Sequence, residues 1–285
     1  MRICVAGVTG WTAPPLLAAI DAAEDLTLVS GVSRSAAGRA LAEVTVTRGE
    51  GRVHATVAEA LEVAPADVLV DYTSAAAVRG HVETAVRAGV HVVVGSSGLT
   101  ADDDAALDRL AREHGVGVVA AGNFSLLAAV LQRAATLAAG FAGHWEVLDY
   151  ASATKPDVPS GTARELAQTL GRVRRPGTGV PAADLLGPVE ARGADVAGTR
   201  VHSVRLPGFV LSTEVVLASG TERLTLRHDA GDSPAPYVEG TLLAVRRVAE
   251  ETGLRRGLDR LLFGDPPPQP AGPLDRSPST SESTR

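Results

Sequence analysis

Short apolar runs alternate with amphipathic segments through the first part of the chain. The apolar runs lie at residues 2–6, 26–32, 67–72, 90–94 and 116–120. Residues 90–94 are nearly all apolar, which is typical of parallel strands buried on both faces. Segments such as 75–88 and 102–113 separate the runs and carry the periodicity of helices. This β-α alternation predicts a doubly wound parallel sheet.

The pattern changes after a helix predicted at residues 126–139. Predicted strands follow at about 146–151, 200–206, 210–218 and 222–228. The last three have no helix between them and include a hairpin turn at Ser219-Gly220, so they favour a mixed or antiparallel sheet. Residues 172–199 are rich in Gly, Pro, Arg and Ala and are predicted to form a long loop. The fold class is therefore α/β, with an N-terminal Rossmann domain and a C-terminal α+β domain.

These elements predict how the chain is divided. Residues 1–125 form a dinucleotide-binding domain, which a C-terminal helix at about 237–263, most clearly patterned over 237–252, completes. Residues 126–236 form a domain for substrate binding and oligomerisation. Residues 264–285 are rich in Pro, Ser and Thr and almost lack apolar side chains, so a disordered tail is expected.

Charge and cysteine content argue against several classes of partner. The 285 residues carry a net charge of −6, which argues against nucleic acid and anionic membranes. The one cysteine, Cys4, lies in a predicted buried strand, so a reducing compartment is expected. The apolar runs are too short to cross a bilayer, and no secretory signal is visible. We expect a cytoplasmic protein, without a metal site because no His, Cys and Asp spacing matches one.

A glycine-rich turn joins the first predicted strand to the first predicted helix. It runs Gly7-Val-Thr9-Gly10-Trp11-Thr12, directly after the first apolar run. Glycines in this position let the backbone approach a pyrophosphate that lies on the helix N-terminus. The context therefore predicts that Gly7, Thr9, Gly10, Trp11 and Thr12 bind a dinucleotide.

The end of the second predicted strand bears on which dinucleotide is bound. Sites that prefer NAD usually place an acidic residue here, against the ribose hydroxyls. This chain has Ser33-Arg34-Ser35 instead, with Arg39 nearby, a chemistry that suits a 2′-phosphate. We predict NADPH as the preferred cofactor, with NADH as the alternative.

Small and polar residues also follow the later predicted strands. They are Tyr72-Thr73, Gly95-Ser96-Ser97 and Gly122-Asn123-Phe124. Because the carboxyl ends of parallel strands face the ligand crevice, these residues are predicted to complete the cofactor site.

A lysine and a predicted helix start lie close together after the strand at 146–151. The run is Lys155-Pro-Asp-Val-Pro-Ser160-Gly-Thr162-Ala-Arg-Glu165. Thr162 and Glu165 fit a capping box, and Ser160 is a second candidate N-cap. A helix start binds carboxylate or phosphate through its free N–H groups, and Lys155 adds a full positive charge. The segment therefore predicts an anion site.

Together these motifs resemble the 4-hydroxy-tetrahydrodipicolinate reductase (dihydrodipicolinate reductase) family of bacterial lysine and diaminopimelate biosynthesis. The specific match is Lys-x-Asp-x-Pro-Ser-Gly-Thr at residues 155–162. Supporting matches are the N-terminal glycine turn, Val70-Asp-Tyr-Thr73, Gly95-Ser-Ser-Gly98, Gly122-Asn-Phe-Ser125, Arg192-Gly-Ala-Asp195, His202-Ser-Val-Arg205 and Thr225-Leu-Arg-His-Asp229. The likeness extends from residue 1 to about residue 263.

The resemblance implies a reductase that uses NAD(P)H, with a Rossmann domain for the cofactor and a second domain for a cyclic dicarboxylate. It implies that Lys155 and the backbone of Ser160, Gly161 and Thr162 hold substrate carboxylates, with Arg205 near the same site. Lys155 is the principal catalytic candidate. The resemblance also implies a homodimer or homotetramer.

The sequence departs from the family at its histidines. The family carries a histidine pair where this chain has Ala151 and Ser152, and a third histidine where it has Thr154. A further family histidine is replaced around residues 211–213. Histidine is the natural proton donor near neutral pH, and an unactivated serine is a poor one. Ser152 therefore remains only as a weak catalytic candidate.

Three functions remain open on the sequence. The first is an NAD(P)H-dependent reductase of a cyclic imine or dihydropyridine-type carboxylate, since an iminium accepts hydride without simultaneous protonation. The second is a genuine 4-hydroxy-tetrahydrodipicolinate reductase. The third is a cofactor-binding non-redox enzyme or an inactive regulatory homologue. The retained anion site around Lys155 argues against the third, because a cofactor sensor would not need it.

Overall fold

The computed structural model describes residues 1–45, 47 and 51–264. The tail predicted at 264–285 therefore lies, apart from Gly264, outside the described residues. Within this part of the chain, no helix is both long and apolar enough to cross a membrane.

The strands are β1 (Arg2–Ala6), β2 (Thr27–Val32), β3 (Arg52–His54), β4 (Val68–Asp71), β5 (His91–Val94), β6 (Gly117–Ala120), β7 (His144–Ala151), β8 (Ala194–Val196), β9 (Thr199–Arg205), β10 (Leu211–Ser219), β11 (Glu222–Asp229) and β12 (Gly253–Arg256). The α-helices are α1 (Ala13–Ala22), α2 (Leu41–Val44), α3 (Val57–Val63), α4 (Val78–Arg87), α5 (Ala101–His114), α6 (Leu126–Ala139), α7 (Gly161–Val173), α8 (Pro236–Arg247) and α9 (Leu258–Phe263). Short 3-10 helices lie at Ala182–Asp184, Val189–Arg192 and Val248–Glu250.

The first sheet is parallel throughout and has the strand order β12-β6-β5-β4-β1-β2-β3. Successive residues of β1 point to opposite faces. Ile3 and Val5 pack into a core with α1, α8 and α9, whereas Cys4 and Ala6 pack into a core with α3, α4 and α5. Helices thus cover both faces, which confirms the predicted doubly wound sheet. The strand order reverses between β1 and β4, where such sheets bind ligands.

The second sheet is mixed and has the order β11-β10-β7-β9-β8. Only β7 and β9 are parallel; the other pairs are antiparallel. Its inner face packs on α6 and α7 through residues such as Trp145, Val147, Leu166 and Leu170. Gly220, at the predicted hairpin turn, has a φ of +58°. The predicted mixed or antiparallel sheet is confirmed.

Two sequence predictions about secondary structure are wrong in part. The helix predicted at 237–263 ends at Arg247, and a strand, β12, follows before α9. Gly253 and Gly257 have φ of +101° and +95°, which break the helix and let β12 pair with β6. The predicted loop at 172–199 contains two 3-10 helices and β8. A tight turn through Ala197 and Gly198, with φ of 52° and 85°, folds β8 back on β9.

Candidate functional site

A cleft of about 190 Å³ lies between the carboxyl edge of the first sheet and the start of α7. Twelve of the predicted site residues line it: Trp11, Thr12, Tyr72, Gly95, Ser97, Gly122, Asn123, Phe124, Lys155, Ser160, Gly161 and Thr162. Asp157, Leu211 and Tyr237 also line it. The other predicted residues do not line it: Gly7, Thr9, Gly10, Ser33, Arg34, Ser35, Thr73, Ser96, Ser152 and Arg205.

The glycine turn after β1 has the geometry that a dinucleotide needs. Gly7 has a φ of +92°, and a Cβ on it would lie 2.2 Å from the backbone oxygen of Tyr72. Only glycine therefore allows β1 and β4 to approach each other this closely. The first turn of α1 has no free N–H group, because Ala13 N donates to the Gly10 carbonyl at 3.2 Å and Pro14 and Pro15 have no N–H. A pyrophosphate would therefore be held by N–H groups of the turn and not by those of the helix. The residues present fit a dinucleotide.

The end of β2 presents a free cation. Ser33 Oγ lies 3.0 Å from Thr9 Oγ1 and 3.2 Å from Ser35 Oγ, so the hydroxyls form a small network. Arg34 is exposed and forms no hydrogen bond or ion pair with any described residue. Arg39, in contrast, lies 3.7 Å from the carboxylate of Glu43. Arg34 is thus the residue of this loop that is available to an anionic ligand.

Buried Asp71 fixes the turns after β4 and β5. It accepts hydrogen bonds from Thr73 Oγ1 at 2.8 Å and from Ser96 Oγ at 2.5 Å. His81 Nδ1 lies 2.7 Å from its other oxygen. Thr73 and Ser96 therefore hold the loop that presents Ser97, and their hydroxyls are directed at Asp71.

The start of α7 differs from the predicted capping box. Ser160 is the N-cap, and its Oγ accepts a hydrogen bond from Ala163 N at 3.3 Å. The Thr162–Glu165 box is wrong, because the helix begins at Gly161 and Glu165 is turned towards the loop after β6. The cap satisfies the N–H of Ala163, which leaves those of Gly161 and Thr162 for a ligand.

Glu165 and Thr162 join α7 to the loop after β6. Gly122 N donates a hydrogen bond to the Glu165 carboxylate, and Asn123 Nδ2 donates to Thr162 Oγ1 at 3.1 Å. Burial raises the pKa of Glu165. Asp259, which accepts a hydrogen bond from Gln132 at 2.9 Å, also has a pKa raised by burial.

Lys155 reaches the cleft as a member of an ion pair. Its Nζ lies 2.8 Å from Asp157 Oδ1, and the two side chains are 33% and 31% exposed. An anion entering the cleft therefore meets Lys155, the free N–H groups of α7 and one neighbouring carboxylate.

Arg205 and Ser152 do not line the cleft. Arg205 Nη2 lies 2.8 Å from Asp149 Oδ2 and donates a hydrogen bond to the Asp157 carbonyl at 2.8 Å. Ser152 Oγ lies 2.9 Å from Thr154 Oγ1.

Two histidines of the second sheet, His202 on β9 and His228 on β11, also make their contacts outside the cleft. His202 Nε2 lies 2.7 Å from Glu146, and His228 Nε2 lies 3.2 Å from Ser125 Oγ. Neither lines the cleft. Among the residues that the structure describes, no group of three His, Cys, Asp or Glu could hold a metal ion.

The residues that the sequence did not assign to the site have weak local signals. Asp157 belongs to the Lys-x-Asp motif, which is the one signal that could have found it. Tyr237 enters the cleft because α8 packs on the same face of the sheet as α1, and Leu211 because β10 pairs with β7. Both depend on tertiary contacts that lie outside any local motif.

Comparison with known proteins identifies matches over nearly the whole described chain. Residues 1–124 match the family model of dihydrodipicolinate reductase, N-terminus, and residues 124–262 that of dihydrodipicolinate reductase, C-terminus. The 4-hydroxy-tetrahydrodipicolinate reductase of Mycobacterium sp. (strain KMS) is 35% identical over 92% of this chain and 99% of its own. That of Geobacillus kaustophilus is 34% identical, with the same coverage.

Solved structures agree with these matches. A dipicolinate-bound dihydrodipicolinate reductase from Paenisporosarcina sp. TG-14 superposes with a TM-score of 0.72 at 26% identity, covering 92% of this chain and 99% of its own. GenD2 from gentamicin A biosynthesis, in complex with NAD, has a TM-score of 0.63 at 16% identity, covering 91% and 89%. The second similarity is one of fold alone.

Proposed function

Because this chain belongs to the dihydrodipicolinate reductase family, we propose that it reduces a cyclic imine or dihydropyridine-type carboxylate with NAD(P)H. One observation carries the proposal: Lys155 and the start of α7 face the turns after β5 and β6 across a single cleft. An anion-binding group on one side and a nicotinamide-binding edge on the other are what hydride transfer to a carboxylate substrate requires.

The chain's own residues supply binding and orientation. We propose that the turn after β1 holds the pyrophosphate and that Gly95, Ser97, Gly122, Asn123 and Phe124 seat the nicotinamide. When bound, the reduced dinucleotide supplies a hydride. Lys155 and the N–H groups of Gly161 and Thr162 orient the substrate carboxylate, and the hydrogen bonds from Gly122 and Asn123 to α7 keep the two sides in register.

We propose NADPH as the preferred cofactor. Support comes from Arg34, which is exposed at the end of β2 and has no hydrogen-bond or ion-pair partner among the described residues. A guanidinium group binds a phosphate with charge-assisted hydrogen bonds, whereas no acidic residue of this loop is placed to bind ribose hydroxyls. A cytoplasmic, reducing setting is in keeping with the unpaired, buried Cys4.

A homodimer or homotetramer is proposed through the outer face of the second sheet. Leu148, Tyr150, Val204 and Val216 are half-buried on this face, and α6 and α7 pack on the other face. Apolar side chains on an open sheet face suit an interface between identical subunits. Light scattering coupled to size-exclusion chromatography measures the mass directly.

A genuine 4-hydroxy-tetrahydrodipicolinate reductase is the second candidate. The identity of 35% over 99% of a curated relative favours it, and the missing histidines count against it. The test is oxidation of NADPH, with NADH in parallel, on the lysine-pathway substrate generated in situ by its synthase. Turnover at about 1–10³ s⁻¹ supports this second candidate; tight NADPH binding without turnover supports a different imine carboxylate.

A further inference from the structure

The described lining of the cleft carries one full positive charge. Among the described residues that line it, Lys155 is the one cationic side chain and Asp157 the one anionic side chain. The two form an ion pair at 2.8 Å, so together they add no net charge. What remains for an anion is the positive end of α7 and the ammonium group that Asp157 shares.

Arg205 does not provide a second charge. Its Nη2 contacts the Asp149 carboxylate and the Asp157 carbonyl, and its Nη1 donates to the carbonyls of Asp149 and Val204 at 3.1 and 3.0 Å. Its side chain is 14% exposed and Asp149 is fully buried. Releasing the guanidinium would leave Asp149 buried without its counter-ion, which is strongly unfavourable. Arg205 is therefore a positioning residue for the Asp157 and Ser160 backbone.

One wall of the cleft, formed by Leu211 and Tyr237, is largely apolar, and Ser152 and Thr154, which stand at two of the family's histidine positions, do not line the cleft. Ala151 and Leu211 are direct partners in the pairing of β7 with β10, and they occupy positions at and beside the family's histidines. Ala151 is fully buried, and Leu211 lines the cleft together with Tyr237. The Tyr237 hydroxyl makes no hydrogen bond with a described residue, and burial raises its pKa to about 12. Leu211 and Tyr237 therefore offer an aliphatic and an aromatic surface, and the neutral Tyr237 hydroxyl is the one hydrogen-bond donor of this wall.

We propose that the substrate is a cyclic imine with a single carboxylate, held by Lys155 and the start of α7, whose opposite edge lies against Leu211 and Tyr237. This inference rests on the reductase function proposed above and narrows its substrate class. A second carboxylate on that edge would be desolvated without a counter-ion.

A monocarboxylate iminium also removes the need for the missing histidines. The iminium carbon receives the hydride, and the two electrons of the C=N π bond move to nitrogen. That nitrogen already carries its proton, so the product is a neutral secondary amine, and the nicotinamide is left oxidised. No side chain has to donate a proton in this step, which agrees with the absence of a histidine from the described lining of the cleft.

The first test compares two planar ligands that cannot be reduced by the enzyme. The protein saturated with NADP⁺ is titrated calorimetrically with pyridine-2-carboxylate and with pyridine-2,6-dicarboxylate. We expect the monocarboxylate to bind about tenfold more tightly, because one unpaired buried carboxylate costs at least that ratio. Equal or tighter binding of the dicarboxylate would overturn the inference.

A gain-of-charge variant tests whether Leu211 lies where a second carboxylate of the ligand would be. Leu211→Lys places a second cation on the apolar wall, and Leu211→Met is the matched control of similar size. Leu211→Lys should improve binding of the dicarboxylate about tenfold and leave the monocarboxylate within about threefold. If both ligands respond alike, Leu211 does not face the second carboxylate and the assignment of the wall is wrong.

Turnover separates this inference from the function on which it rests. Reduction of the cyclic imine monocarboxylate Δ1-piperideine-2-carboxylate, faster than the lysine-pathway dicarboxylate, supports both. Faster reduction of the dicarboxylate supports the reductase and overturns the inference. If neither compound is reduced, the reductase function fails, and the ratio of the two pyridine carboxylate affinities still decides how many carboxylates the cleft accepts.

Discussion

Asp149 and Arg205 form an ion pair 2.8 Å apart in which the carboxylate is fully buried. Asp149 lies on β7 and Arg205 at the end of β9, the parallel neighbour of β7. The same carboxylate accepts a hydrogen bond from Ser160 N at 2.8 Å. Burial works to raise the pKa of Asp149, but hydrogen bonds from Ser160 and Arg205 hold it below its ordinary value. The pair therefore ties the start of α7 to the second sheet.

Arg205→Met should destabilise the protein by about 3–5 kcal/mol, because it leaves a buried carboxylate without its counter-ion. Replacing Asp149 by Asn in the same chain removes that charge and keeps an acceptor for Ser160 N, so the double variant should recover most of the loss. Urea unfolding at neutral pH measures the free energies. An Arg205→Met protein of normal stability that has lost dicarboxylate binding would instead make Arg205 a substrate ligand.

Lys155→Met should weaken binding of pyridine-2-carboxylate to the NADP⁺ complex about 10–100-fold, since a hydrogen bond to a charged group contributes about 1.5–3 kcal/mol. NADP⁺ affinity should stay the same, because Lys155 lies on the α7 side of the cleft. Lys155→Arg retains the charge and serves as the control. Parallel loss of cofactor and ligand binding would show that the substrate site has been assigned to the wrong residues.

Arg34→Gln should lower kcat/KM for NADPH about 10–100-fold and leave that for NADH nearly unchanged. The reason is that only NADPH presents a 2′-phosphate to the guanidinium. Arg39→Gln is the matched control. Arg39 is close to Glu43, so this variant should lower kcat/KM for NADPH by a smaller factor. Initial rates with both cofactors give the ratio, and an equal fall with NADH would assign Arg34 to another part of the dinucleotide.

The stability of Glu165→Gln, measured relative to wild type, should increase as the pH rises from about 5 to about 8. Burial raises the pKa of Glu165 above its ordinary 4.5, so the folded state binds this proton more tightly than the unfolded chain. The resulting stabilisation is present below the ordinary pKa and is lost as the pH rises through the raised value. Glutamine keeps an oxygen for Gly122 N and cannot ionise. Melting temperatures across this pH range give the difference.

Glu165→Leu separates the hydrogen bond from the charge. It removes the acceptor of Gly122 N and should cost about 1–3 kcal/mol at every pH in that range. A leucine variant as stable as the glutamine variant would mean that the hydrogen bond to Gly122 contributes little.

The sequence predicts those parts of the fold that local patterns encode. The turn at Gly7 and the strand at residues 90–94 each carry their signal within a few neighbouring residues. β12 does not: Gly253-Leu-Arg-Arg256 has one apolar side chain, and its pairing with β6 makes it a strand. β3 could not be predicted either, because its three residues are too few to show a strand pattern in the sequence.

The residues of the site also divide into those that a local motif indicates and those whose role depends on tertiary contacts. The Lys155–Thr162 motif indicates an anion site without any structure, because a lysine and a helix start are adjacent in the chain. The engagement of Arg205 by Asp149 depends on the register of β7 and β9, and the presence of Tyr237 depends on how α8 packs. Arg205 could therefore be predicted to lie near the site, but not to be paired with a buried carboxylate.

The position of β12 sets an order of events during synthesis. Chains emerge from the N-terminus and begin to fold as they emerge, yet β6 cannot pair with β12 until every strand of the second sheet has been made. Until then β6 is an open edge strand, and open edges invite pairing with other chains. A nascent chain that stalls before Gly253 thus leaves β6 as an unpaired edge strand that can pair with other chains. This edge is covered once β12 has been made and pairs with β6.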